Sequence, residues 1–159
     1  MPCFIDVEGL LSDRDADEVF DRVRDFERYA DHTDTVRGVT VTADDVGTVD
    51  SAWAVNFRGG VLRWTERDVI DAPARTITFE QLTGDFARFV GTWDVRQTGD
   101  DAVVLFSCEF DMGIPSLEPI INPVAMRALI DSIGLILRGL LGEDIELTSA
   151  YRDTAVVGP

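Results

Sequence analysis

The feature that most constrains this chain is a change of hydrophobic period. From Val36 to Phe110 apolar and polar residues alternate with a period of two, broken only by short turn sequences. The alternating segments are Val36–Ala43, Thr48–Phe57, Val61–Ile70, Thr76–Thr83, Ala87–Thr98 and Ala102–Phe110. Between them stand Asp44-Asp45, Gly59-Gly60, Asp71-Ala72-Pro73, Gly84-Asp85 and Gly99-Asp100-Asp101. Alternation at period two marks half-buried strands, and Gly, Asp and Pro are the residues of tight turns. Connectors this short join antiparallel neighbours, because parallel strands need long crossovers.

Helical patterns flank the strands. After a short apolar strand, Cys3 to Leu10, Asp15 precedes Glu18 by the three residues of a capping box. Ala16, Val19, Phe20, Val23 and Phe26 then recur at helical spacing, predicting an amphipathic helix that ends near Tyr29 or Ala30. Asp111 to Ile121 reads as a linker with Pro115 and Pro119, and Asn122-Pro123 as the cap and first turn of a last helix reaching Leu141. That helix is polar only along Arg127, Asp131 and Arg138, so its apolar face needs a large partner, and the strands are the candidate. The expected architecture is α+β: one domain over residues 1–142, then a polar tail over 143–159.

Composition narrows the function classes. A chain of 159 residues fits one domain. Thirty acidic residues face fourteen basic ones, all Arg, for a net charge of −16. Such a surface repels phosphate backbones and anionic lipid, so nucleic acid and membrane surfaces are poor partners. A GC-rich genome and a high-salt cytoplasm both account for the acidic, Lys-free composition. No membrane span is expected, since the most apolar stretch, Ile133 to Leu141, is interrupted by Arg138. No basic segment followed by an apolar run opens the chain, and the cytoplasm is the expected location. Cys3, Cys108 and the single histidine, His32, fit neither a metal motif nor a Ser-His-Asp triad, and no Gly-rich phosphate loop is present.

Facing follows from the Gly59-Gly60 hairpin. Treated as a two-residue loop, it pairs Phe57 with Leu62, Val55 with Trp64, Trp53 with Glu66 and Ser51 with Asp68. Opposed residues share a face. The inner face then holds Trp53, Val55, Phe57, Leu62 and Trp64, with Glu66 and Asp68 at its far end; Arg58, Arg63 and Arg67 point outward. Later strands turn Ile77, Phe79, Gln81, Phe89, Gly91, Trp93, Val104, Phe106, Cys108 and Phe110 inward. Such aromatic walls describe either a ligand pocket or an ordinary core.

Several strings, in this order, resemble the START and Bet v 1-like (SRPBCC) superfamily, and within it the bacterial polyketide aromatase/cyclases. They are Arg28-Tyr29-Ala30-Asp31, Trp64-Thr65-Glu66-Arg67, Asp71-Ala72-Pro73-Ala74-Arg75, Phe79-Glu80-Gln81-Leu82, Gly91-Thr92-Trp93 and Cys108-Glu109-Phe110. The resemblance implies a helix-grip fold: a seven-stranded, bent antiparallel sheet around the C-terminal helix, with an internal cavity. It implies cofactor-independent aldol cyclisation and dehydration of a poly-β-ketone, presented by an acyl carrier protein. Family enzymes often carry an inward Arg four residues after the Trp64 position; here that residue is Asp68.

Glu66 and Asp68 are the expected acid–base pair, since buried like charges push carboxyl pKa values up and apart. Gln81, with Ser51, is a candidate to hydrogen-bond ketone oxygens. Trp53, Trp64, Phe79, Phe89, Trp93, Phe106, Cys108, Tyr29, His32 and Ile133 are the expected ligand-binding residues, and Pro115 to Ile121 a lid. The rival reading is a non-catalytic carrier of a quinone, lipid or other apolar molecule. Monomer and homodimer both remain open.

Overall fold

The computed structural model describes residues 2–153. Eight strands form one antiparallel sheet in the order β2-β3-β4-β5-β6-β7-β1-β8. They are β1 Cys3–Leu11, β2 Val36–Asp45, β3 Thr48–Phe57, β4 Gly60–Asp71, β5 Thr76–Gly84, β6 Arg88–Thr98, β7 Asp101–Asp111 and β8 Glu146–Asp153. From β2 to β7 each strand pairs with its sequence neighbour, and β1 returns to close beside β7. The inner face collects Ile5, Val7, Ile77, Trp93, Val104 and Phe110, all buried. This is the helix-grip arrangement, with a long C-terminal helix held against the sheet.

The first helix, α1 (Ala16–Arg24), begins as expected: the Asp15 side chain accepts a hydrogen bond from the Asp17 N–H. Glu18 does not close a capping box; it pairs with Arg14 and Arg22 instead. The chain then runs through a 3₁₀ turn, Phe26–Arg28, into one turn of helix, α2 (Tyr29–His32).

The long helix α3 spans Glu118–Leu141, after a 3₁₀ turn at Pro115–Leu117. It starts four residues before the predicted Asn122 cap. Pro119 fills the first turn, where the missing N–H costs nothing. Pro123 falls inside the helix, where it forfeits one bond to the carbonyl a turn earlier. Asn122 is thus not a cap; it is buried, and its Nδ2 has no hydrogen-bond partner among the described residues. The segment Pro115–Leu141 is long and apolar enough to cross a bilayer by composition, with a mean hydropathy of 1.6. Here its inward face, including Met126, Ile133 and Leu137, is the domain core. Burying each such side chain contributes about 1.5–3 kcal/mol.

The expected polar tail contains a strand. Glu146–Asp153 pairs along the free edge of β1, so the sheet has eight strands rather than seven. Ile145 is buried and Leu147 packs against the core, which anchors the strand, while most of its other side chains stay exposed. Residues 154–159 of that predicted tail lie outside the described residues.

Candidate functional site

The β3–β4 hairpin builds the site, and its turn differs from the predicted one. The loop residues are Arg58 and Gly59, both with positive φ (48° and 80°), so Phe57 pairs with Gly60. Every pair is displaced by two residues from the sequence-based registration. Trp53 faces Trp64, Ser51 faces Glu66 and Val49 faces Asp68. A slip of two leaves each side chain on its predicted face, whereas a slip of one exchanges the faces.

The displaced register brings the two indoles together. Trp53 and Trp64 stack with centroids 5.8 Å apart and planes 3° from parallel. Stacked aromatic pairs contribute about 0.5–1.5 kcal/mol beyond their buried area. Tyr29 and Phe26 meet Trp53 edge-on, and Phe89 and Phe86 meet Trp64 edge-on.

Below the indoles lies a chain of buried polar groups. The Trp53 Nε1–H donates to Ser51 Oγ at 2.9 Å, and the Ser51 hydroxyl donates to Asp68 Oδ2 at 2.8 Å. The Trp64 Nε1–H donates to Glu66 Oε1 at 2.7 Å. Glu66 and Asp68 are 4% and 0% exposed and within hydrogen-bonding reach of each other. Burial drives the Glu66 carboxyl well above the ordinary glutamate value, and the neighbouring Asp68 raises it further. Burial also raises Asp68, opposed by the hydrogen bonds from Glu66 and Ser51. Both carboxyls thus hold a proton more tightly than in water, Glu66 more so than Asp68. Asp68 Oδ1 has no hydrogen-bond partner among the described residues.

A cavity of about 50 Å³ adjoins this chain. Its walls are Tyr29, Trp53, Trp64, Glu66, Phe79, Phe89, Trp93, Phe106 and Ile133, joined by Val55, Leu129, Ser132 and Ile136. Phe79 and Phe106 stack at 5.7 Å. Gly91, opposite Phe79 in the sheet, leaves room for that ring: a Cβ there lies 2.5 Å from Phe79 Cζ and 2.4 Å from the Ser107 carbonyl. Ligand pockets typically measure about 300–1,000 Å³. A ring-sized ligand therefore enters only if wall residues move.

The other predicted residues are placed differently. Asp68 sits behind Glu66 and does not line the cavity. Gln81 spends its amide on the β5–β6 turn: Nε2 donates to the Phe86 carbonyl at 2.9 Å, and Oε1 accepts the Phe86 N–H at 3.3 Å. It clamps backbone and does not line the cavity. His32 is exposed at the end of α2 and does not line the cavity, because that helix turns its Tyr29 side inward. Cys108 is a buried thiol outside the cavity lining, with its pKa pushed well up by burial. Tyr29 lends its ring to the wall, but its hydroxyl donates to the Val23 carbonyl.

The wall residues Val55, Leu129, Ile136 and Ser132, and Phe86 beside them, are not among the predicted ligand-binding residues. Phe86, in the β5–β6 turn, stacks on Phe89 at 4.5 Å; its signal is an aromatic in a loop held between two strands. Ser132, a small polar residue inside an apolar helix, gives none.

An eight-stranded sheet gripping one helix over a small aromatic cavity with a buried acid defines a helix-grip protein. The profile of the family described as polyketide cyclase / dehydrase and lipid transport matches residues 12–132, and the chain belongs to that family, within the START-like superfamily. Solved structures agree on the fold. A protein from Thermus thermophilus superposes with a TM-score of 0.80 at 21% identity, covering 86% of this chain and 93% of its own. The Zhui aromatase/cyclase from a Streptomyces species gives 0.72 at 18%, covering 87% and 95%. A START superfamily protein from Mycobacterium smegmatis gives 0.70 at 18%, covering 85% and 95%. At these identities the likeness concerns the fold alone. A comparison with curated proteins returned no match.

Proposed function

We propose that the protein is a cofactor-independent cyclase–dehydratase acting on a poly-β-ketone presented by an acyl carrier protein. The observation that carries this reading is Glu66: a buried carboxyl in the wall of an aromatic cavity, its pKa pushed well up by burial, with its conjugate base supported by the Trp64 N–H. A general acid near neutrality needs such a raised pKa.

The balance of the reaction is simple. In ring closure, the enol carbon of one β-dicarbonyl unit bonds to a ketone carbon further along the chain. That ketone oxygen takes the Glu66 proton, and the enol hydroxyl returns one to the Glu66 carboxylate. In dehydration, Glu66 protonates the departing hydroxyl, one water leaves, and the α-proton passes to the carboxylate. No electron transfer is involved. Asp68 acts through Glu66, as a positioning residue that sets where the proton rests.

Glu66→Gln tests the proposal, since the amide oxygen still accepts from Trp64 while proton transfer is lost. With a carrier-bound poly-β-ketone, cyclised product should fall by about 10²–10⁴-fold, with the circular dichroism spectrum of the folded protein retained. Undiminished product sinks the enzymatic reading.

The second reading, a carrier of a quinone or lipid, is favoured by the cavity wall, which is mostly aromatic and aliphatic, with Glu66 its one charged residue. Native mass spectrometry of protein from its own host separates the two. A retained quinone or lipid, unaltered on incubation, supports the carrier.

A further inference from the structure

The seam between α3 and the β3–β4 hairpin opens outward into a surface groove of about 560 Å³. Its charged lining departs from the molecule's overall character. Three arginines, Arg37, Arg58 and Arg127, stand against two aspartates, Asp34 and Asp131, on a chain of net charge −16. By contrast, the cleft beside the β2–β3 turn has Asp25, Glu27, Asp44, Asp45 and Asp71 against Arg24 alone.

Of the three arginines, Arg37 is engaged through Nε with Asn56 Oδ1 at 2.8 Å. Arg58 and Arg127 form no hydrogen bond or ion pair among the described residues. Elsewhere the exposed arginines Arg22, Arg67, Arg88 and Arg96 are bound to carboxylates. Arg24, Arg63 and Arg138 are also exposed without a carboxylate partner among the described residues, but neither Arg63 nor Arg138 lines this groove, and Arg24 lies in the acidic cleft. Two uncommitted guanidiniums on one groove, in so acidic a molecule, are available to an incoming anion.

The groove also touches the cavity. Ser132 lines both, and it is 9% exposed with a hydroxyl that has no hydrogen-bond partner among the described residues. On the hairpin side, Val55 lines the cavity while Asn56 and Phe57, next in the chain, line the groove. Groove and cavity thus share Ser132, and the half-buried Phe57 lies on the groove side.

We propose that this groove is the mouth of the cavity and a binding site for an anionic head group, carboxylate or phosphate, whose apolar body passes Ser132 into the aromatic interior. The ligand class is an anionic amphiphile. The inference rests on the reading of the cavity as a site for an apolar ligand, and adds where the ligand enters and what charge it carries. The surrounding negative field repels anions at long range, so Arg58 and Arg127 select at contact rather than by steering.

The test is titration of the whole protein with decanoate, decyl phosphate and decanol, followed by the fluorescence of Trp53 and Trp64, alongside the Arg58→Gln/Arg127→Gln variant. Both substituted side chains are exposed, and an unchanged circular dichroism melt confirms the variant's fold. Wild type should bind the two anions at least ten-fold more tightly than decanol. The variant should lose that preference while binding decanol as before, and salt should erode it in the wild type. Free 4′-phosphopantetheine distinguishes the sources of the anion. Competition with decyl phosphate indicates a carrier-tethered ligand; its failure to compete, with decanoate retained, indicates a free amphiphile. Equal binding of anions and alcohol, or equal weakening of both in the variant, overturns the anionic site and leaves the apolar cavity standing. Binding of none of the probes overturns the cavity reading as well.

Discussion

Strands β3 and β4 carry two acid-centred clusters one residue apart, on opposite faces of the sheet. On the outside, Asp50 accepts two hydrogen bonds from Arg67, at 2.8 and 3.0 Å, and its carboxyl is held below the ordinary value by that cation. On the inside, Ser51, Glu66 and Asp68 meet with no cation among them, and both carboxyls are pushed up by loss of water. The residues are chemically alike and adjacent in sequence; the pleat alone sends one set to solvent and the other to the cavity. Charge on the outer cluster is stabilised by a partner, and charge on the inner one is suppressed by burial. That contrast leaves Asp50 a paired surface anion and Glu66 a buried carboxyl that resists ionisation.

The largest effect should come from removing the roof of the inner cluster. Trp53→Ala deletes the stacking partner of Trp64, the edge contacts with Tyr29 and Phe26, and the donor to Ser51. A loss of about 3–5 kcal/mol is expected in urea unfolding. A loss below about 1 kcal/mol would mean the indole pair does not organise the site.

Next comes the pH dependence of the pair. Glu66 and Asp68 hold their protons more tightly in the fold than in the unfolded chain, whose values lie near 4.5 and 3.8. Their contribution is therefore complete below pH about 4 and is lost as pH rises through the raised values. The Glu66→Gln/Asp68→Asn variant lacks this loss. Relative to wild type it should gain on the order of 1–3 kcal/mol between pH about 4 and neutrality, read from paired denaturation curves. A difference independent of pH would show that neither carboxyl is shifted.

How much of this is legible in the sequence depends on what each feature obeys. Facing obeys the parity of the strand, so Trp53, Trp64, Glu66 and Asp68 fall on one side whatever the turn. Register obeys packing. The Gly59-Gly60 pair draws the turn one residue along, which would separate Trp53 from Trp64; the observed Arg58-Gly59 turn brings their rings into contact at the cost of a non-glycine residue at positive φ. Gln81 belongs to the inner edge, as its alternation implies, yet its partner is the backbone of Phe86 in the following turn, which no periodicity reveals. β8 escapes because an edge strand with one anchoring leucine carries little alternation, and Ser132 because a lone serine in an apolar helix has no pattern at all.

Gln81 also separates inner-face residues that hold structure from those that face ligand. Gln81→Ala removes both hydrogen bonds to Phe86 and frees the β5–β6 turn. A destabilisation of about 1 kcal/mol is expected in urea unfolding, with the rate of cyclisation per folded molecule unchanged. A fall in that rate comparable with Glu66→Gln would return Gln81 to the chemistry.

The smallest effect belongs to the outer cluster. Arg67 is largely exposed, and an exposed ion pair gains little because water already stabilises both charges and holding two long side chains together costs entropy. Asp50 has a lowered pKa, so whatever stability the pair contributes is present above the ordinary value of 3.8 and fades as pH falls through the lowered one. The sign is opposite to that of the inner pair. Arg67→Ala should lower the melting temperature slightly at low salt and not measurably at about 1 M salt, where screening acts within about 3 Å. The two faces are not fully independent, since the Asp50 charge is itself one of the causes that raise Asp68. Removing the Arg67 cation beside Asp50 should therefore raise Asp68 slightly further, and an Arg67→Ala pH profile that leaves the inner pair unmoved would show that this coupling through the pleat is negligible.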